Sequence, residues 1–206
     1  MKFRTILALI AAGFAGLAAQ AQNRGDDAIL EMAQAFRQGN KARLGQLLPA
    51  ARGHALEPWA AYWELRSRLD TATPQEVQEF LGRYAGTYQE DRLRNDWLLL
   101  LGQRRDWTTF ADEHPRFRMN DDVQVRCYAL AVQHIVQGPA APPTLADDVR
   151  RLWFAQRGDD DACTFAAGRF LNDTTGRNRI TAADAWRKAR LAMEYNRPKM
   201  VAAAVG

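Results

Sequence analysis

Apolar residues in this chain recur with the period of an α-helix, and that periodicity limits the fold more than any other feature. Ile29, Met32, Ala33 and Phe36 fall at i, i+3, i+4 and i+7. Leu44, Leu47, Leu48 and Ala51 repeat the spacing, as do Val77, Phe80, Leu81 and Tyr84. Leu93, Trp97, Leu100 and Leu101 follow the related i, i+4, i+7, i+8 form, and so do Leu145, Val149, Leu152 and Trp153. Such spacing stacks side chains along one face of a helix. No stretch alternates with period two for long enough to make a strand, so an all-α chain is expected.

Punctuation between the stripes supports the same reading. Gly39-Asn40, Gly53, Glu57-Pro58, Thr73-Pro74, Gly86, His114-Pro115, Gly138-Pro139, Gly158 and Gly176 break the pattern at short intervals. Thr73, Pro74 and Glu76 have the order of an N-cap, a proline at the first helical position and a carboxylate at the third. Asp26-Asp27 and Asp147-Asp148 place negative charge in first turns, where the helix dipole favours it. Asp159 to Asp161 read as an N-cap with its neighbours rather than a metal cluster, because no second ligand group follows at a recognisable spacing.

The first apolar anchors of successive helices are Ile29, Leu44, Trp59, Val77, Leu93, Trp107, Val125 and Leu145. Two such helices make a hairpin of about the tetratricopeptide period. Helices this short cannot each bury an aromatic stripe alone, so neighbouring hairpins must stack to make a core. The expected fold is an irregular α-superhelix of short hairpins, tetratricopeptide-like but without that repeat's consensus beyond AFRQGNKARL. A solenoid cut between hairpins leaves an apolar face bare, and the stripe Met200, Val201 and Val205 is expected to be exposed and to promote self-association.

The first 21 residues have the layout of a secretory signal peptide. Lys2 and Arg4 precede an apolar run from Ile6 to Ala19, and Ala19-Gln20-Ala21 supplies small residues for cleavage after Ala21. Gly13 and Gly16 interrupt a run already shorter than a bilayer span needs. The expectation is a domain over residues 22–206, exported to the periplasm without a membrane anchor. The formal charge of +4 falls to +2 once Lys2 and Arg4 leave. Basic residues are interspersed with acids, as in EDRLRND and DDVRRLW, which argues against the concentrated positive patch that nucleic acid needs.

Catalytic motifs are sparse. Ser67 is the single serine and lies outside a nucleophile elbow. His54, His114 and His134 stand alone, with no HExxH or CxxC, so zinc has no sequence support, and neither does any other cofactor. Glu64 in YWELR and Glu194 in AMEYN sit beside aromatics, as a glycosidase general acid would. Outer-face positions on helices explain both glutamates more simply. The tryptophans and most of the tyrosines fall on apolar stripes, where core packing is the expectation rather than sugar stacking.

The run PWAAYWELRSRLDTATPQEVQEFLGRYAGTYQEDRLRNDWLLLLGQRRDWTTFADEHPRF resembles the N-terminal superhelical region of the soluble lytic murein transglycosylases. The matching residues, in order, are Pro58, Tyr62 and Trp63, then Phe80, Leu81 and Tyr84, then Arg92, Leu93, Arg94, Trp97 and Leu98, then Arg105, Asp106 and Trp107. QVRCYALAVQ, RRLWFAQRGDDDACTFAAGRFL and AADAWRKARLAMEYN continue the likeness, including the family's pair of cysteines. The resemblance implies a periplasmic protein that handles peptidoglycan glycan strands. In that family a lysozyme-like C-terminal domain, with one glutamate in a Glu-Ser motif, cleaves between N-acetylmuramic acid and N-acetylglucosamine and leaves a 1,6-anhydro end. This sequence has no Glu-Ser dipeptide and stops at Gly206 after KMVAAAV. It is therefore expected to be the superhelical portion, incomplete at its C-terminus, with the catalytic domain missing and no catalytic residue of its own. The other reading is a periplasmic tetratricopeptide-like module that binds protein partners.

Export bears on Cys127 and Cys163, the two cysteines of the chain. In an oxidising compartment such a pair is by default a disulfide. One helix is expected between the two that carry them. A reactive thiol or metal ligand is the lesser alternative.

Overall fold

A computed structural model describes residues 25–142, 144–159, 161–171 and 180–205. The leader expected over residues 1–21, with its expected cleavage after Ala21, lies outside the described residues, as does Asp160. Among the described residues the chain is all-helical, without strands. Helix α1 covers residues 25–37, followed by α2 (Lys41–Leu47), α3 (Glu57–Ser67), α4 (Pro74–Arg83), α5 (Tyr88–Arg104) and α6 (Trp107–Glu113). Then come α7 (Val123–Gln137), α8 (Leu145–Ala155), α9 (Asp161–Leu171), α10 (Ala182–Glu194) and α11 (Pro198–Val205). The eight sequence anchors from Ile29 to Leu145 fall one each on α1 to α8, in order.

Several helix starts follow directly from local chemistry. Thr73 caps α4 in a reciprocal box: its Oγ1 accepts from the Glu76 N–H at 3.2 Å, and Glu76 Oε2 accepts from the Thr73 N–H at 2.8 Å. Pro74 occupies the first turn, where its missing N–H costs nothing. Asn40, Asp106 and Asp122 cap α2, α6 and α7 one-way, each side chain accepting from a first-turn N–H, and Thr181 with Asp184 forms a second reciprocal box at α10. One expected helix is split. The stripe Leu44 to Ala51 begins in α2 but continues as a 3-10 turn, Leu48–Ala51, because Pro49 has no N–H to extend the α-ladder.

The chain divides into two compact units, one up to Leu93 and the other from Arg94 onward. In the first, Ile29, Met32, Ala35, Leu44, Ala51 and Ala60 make a core, with Phe36, Leu47, Leu48 and Trp63 packed on it. In α4, Val77, Phe80 and Leu81 are buried, as their spacing requires.

In the second unit α7 packs on α9 and α8, α8 also packs on α9 and α10, and α10 pairs with α11. The buried face of α9 is built from Ala162, Cys163, Ala166, Ala167 and Phe170. Its small side chains let neighbouring helices approach closely. Arg94 of α5 is buried and donates to Glu113 of α6, whose other oxygen accepts from Arg116 at 2.7 Å. A buried charge of this kind is tolerated because it is paired. Met200, expected on an exposed stripe, is instead 4 % exposed within α11. Val201 is half-buried and only Val205 of the three is open. The pairing of α11 with α10 supplies the cover that the linear sequence does not display.

Candidate functional site

The richest collection of polar chemistry in the first unit lies in a groove of about 590 Å³ lined from α3 and α4. Glu57, at the start of α3, accepts at Oε2 from the Gly53 N–H at 2.7 Å. Its Oε1 accepts from Arg83 at 2.6 Å and from the Tyr84 hydroxyl at 2.9 Å. Burial pushes the Glu57 carboxyl up, but these donors, with Gly53 foremost, outweigh it and hold the group below the ordinary carboxylate value. Tyr84 is pushed up, first by burial and then by its hydrogen bond to Glu57.

At the far end of α3, Arg68 reaches both oxygens of Glu64, at 2.6 and 3.3 Å, and donates to Glu76 at 2.6 Å. The hydrogen bond to Glu64 is the main reason the Arg68 guanidinium holds its proton more tightly than usual. Glu76 is held down to about 2, first by the Thr73 N–H and then by Arg68. A glycosidase acid needs a raised pKa and an apolar pocket. Glu57 and Glu76 have the opposite, and Glu64 is occupied by a guanidinium. The groove presents ionised acceptors and fixed donors, which can hold a polar ligand.

A row of aromatic rings lies in the same unit. Phe36 stacks on Trp63 with centroids 6.3 Å apart, Trp63 lies 5.9 Å from Trp59, and Trp59 lies 5.7 Å from Tyr88. Phe36, Trp59 and Trp63 are half-buried, and Tyr88 is 54 % exposed. The expectation that tryptophans are core therefore holds for Trp97 and Trp153 but not throughout, since Trp186 is 58 % exposed. Tyr88 is the ring of the row most open to solvent.

In the second unit the turn Arg105-Asp106-Trp107 organises the aromatic contacts. Arg105 closes α5 with φ 61°, and its guanidinium lies 3.9 Å from the centre of the Phe165 ring and pairs with Asp161 at 2.8 Å. Trp107 stacks on the same Phe165 at 5.2 Å. The Tyr128 hydroxyl donates to Asp161 at 2.7 Å, and burial followed by this bond raises its pKa. Asp161 is thus a structural carboxylate that joins α9 to α7 and to the end of α5. Asp159 is exposed. Among the described residues, no group of three acidic, histidine or cysteine side chains could hold a metal ion.

The other residues singled out from the sequence are scattered. His54 Nε2 meets Asp26 at 2.7 Å while its Nδ1 accepts from the Leu56 N–H at 3.0 Å, which pins a loop. His114 stacks on Phe110, and His134 lies against Phe170. Ser67 donates to the Glu64 carbonyl at 2.7 Å. Glu194 is the exposed last residue of α10. Cys127 of α7 and Cys163 of α9 lie at disulfide distance, with Cα atoms 4.9 Å apart and both residues fully buried. The single helix between them is α8, as expected.

The groove residues Glu57, Arg83 and Tyr84 were not recognisable as a set in the sequence. Glu57-Pro58 read as a break between apolar stripes, and Tyr84 as the end of a stripe and part of the family likeness. No helix of the described residues is long and apolar enough to cross a membrane. Neither a family model nor a curated protein sequence matches this chain.

Proposed function

We propose that this chain is the superhelical, peptidoglycan-associated portion of a periplasmic lytic murein transglycosylase, with its hairpins wound as an irregular tetratricopeptide-like superhelix. In this reading it contacts glycan strands, and cleavage belongs to a separate lysozyme-like domain. The observation that carries the proposal is the order of the resemblance motifs, each on its own helix and each with a structural task. Pro58 starts α3 and Tyr62 is buried within it. Phe80 and Leu81 are buried in α4, and Tyr84 caps that helix onto Glu57. Trp97 is buried in α5, and Asp106 caps α6.

Three further features support the reading. The cysteine pair at disulfide distance suits an oxidising compartment. The row from Phe36 to Tyr88 suits the flat faces of sugar rings, and the ionised groove beside α3 and α4 suits their hydroxyl and amide groups. The depressed carboxyls of Glu57 and Glu76 suit a binding surface rather than an acid catalyst.

The test is cosedimentation of the purified mature chain with murein sacculi. It is expected to pellet with them while releasing no 1,6-anhydromuramyl ends, and replacement of the exposed Tyr88 by Ala is expected to move protein into the supernatant. A chain that stays wholly in the supernatant overturns the proposal in favour of a protein-interaction module.

A further inference from the structure

A second cavity, of about 600 Å³, opens in the unit from Arg94 onward, between α6, α7 and α8. Its size is that of a small-molecule site. The buried side chains of Phe110, Val132 and Leu152 line it together with the half-buried Leu130. Three charged side chains also line the cavity: Arg126, Asp148 and Arg151. Asp148 and Arg151 satisfy one another at 2.6 Å. Arg126, half-buried on α7, is left with no side-chain partner among the described residues. A guanidinium on the cavity lining with no acid beside it is open to pairing with a ligand carboxylate.

Among the uncharged polar residues of the lining, Asn120, Gln133, Gln137 and His114, the ring of His114 lies flat on Phe110 with centroids 5.6 Å apart. Burial lowers its pKa, so at neutral pH it carries no charge and adds a hydrogen-bonding edge instead. The uncompensated charge of the cavity is therefore a single positive one, set in a lining that is more apolar than polar.

We propose that this cavity binds a small molecule with one carboxylate on an apolar body, the carboxylate pairing with Arg126 and the body lying against Phe110, Leu130, Val132 and Leu152. One guanidinium matches one carboxylate through two parallel hydrogen bonds. A phosphate group, more highly charged and more strongly hydrated, gains less from a single cation and loses more against apolar walls. The proposal is independent of the murein reading, since it involves the other unit and a ligand without sugar.

The experiment is calorimetric titration of the mature chain at neutral pH with octanoate, octanamide and inorganic phosphate. Octanoate is expected to bind with a Kd of about 1 mM or tighter, the range open to a ligand of this size. Octanamide, with the same body and no charge, is expected to bind at least about tenfold more weakly, and phosphate not to bind. Replacing Arg126 by Met keeps the stem and removes the fork; octanoate should fall to the octanamide level, with octanamide unchanged. A melting curve establishes that the variant is folded. Should that variant fail to fold, Leu130→Ala gives the second reading, with both octanoate and octanamide weakened. Equal affinity for octanoate and octanamide, unchanged octanoate binding in R126M, or no octanoate binding up to about 10 mM each overturns the proposal.

Discussion

The ring of Tyr128 occupies the space that a side chain on Gly102 would need. A Cβ built on Gly102 would fall 2.2 Å from Cδ2 and 2.4 Å from Cε2 of that ring. The ring cannot swing aside easily, because its hydroxyl is held by Asp161 and both flanking helices are packed. Gly102→Ala is therefore expected to lose about 1–3 kcal/mol or more through overpacking. Gly82 of α4 is exposed and has nothing within 4 Å of its built Cβ. Gly82→Ala should gain about 0.5–1 kcal/mol from helix propensity alone. Urea unfolding of the two variants checks both signs.

Joining Cys127 to Cys163 closes a loop with a sequence separation of 36. Chain-entropy arguments put the stabilisation at about 3–4 kcal/mol. Cys127→Ala with Cys163→Ala is expected to lower the urea midpoint accordingly, and reductant should lower the melting temperature of the parent but not of the double variant. Because both sulfurs are fully buried, thiol labelling should need reductant and denaturant together.

Lys188 is 1 % exposed, and its ammonium donates to the carbonyls of Trp153 and, at 3.0 Å, of Gln156. It therefore binds the C-terminal end of α8, where carbonyls lack helical partners and the dipole favours a cation. Lys188→Met keeps most of the stem but removes the ammonium from the two carbonyls, leaving that of Trp153 with the Gln156 N–H at 3.3 Å, at a cost of about 1–3 kcal/mol. The same replacement at the exposed Lys199 should stay within about 0.5 kcal/mol. Equal effects at the two lysines in chemical denaturation would contradict the role given to Lys188.

Acid should weaken the fold through its depressed carboxyls. A carboxylate whose folded pKa is lowered adds stability that is present above the unfolded value and disappears as pH falls through the folded one. Glu76 drops from an ordinary 4.5 to about 2, and Glu57 and Asp184 are lowered too. The loss is thus expected mainly between pH 4.5 and about 2. Glu76→Gln can still reach the Thr73 N–H, so the parent and variant should differ at pH 7 and converge as pH approaches 2. Unfolding midpoints across that range measure it.

The amino-acid sequence by itself determined the secondary structure and much of its punctuation. Apolar period, caps and prolines act within a few residues, which is why Thr73-Pro74-Glu76 and the anchors from Ile29 to Leu145 could be read directly. The expectation of an oxidising compartment, with just two cysteines in the sequence, led to the pairing of Cys127 with Cys163, which lie at disulfide distance. The stripe at Met200 was misjudged, because whether α11 has a cover depends on its pairing with α10 and not on its own pattern. The sites were further from reach. Glu57 meets Arg83 and Tyr84 across 26 and 27 residues, and Arg126 is distinguished only by having no acid placed beside it. Charges brought together or left apart by helix packing have no local signature, because their partners are set by distance in space rather than along the chain.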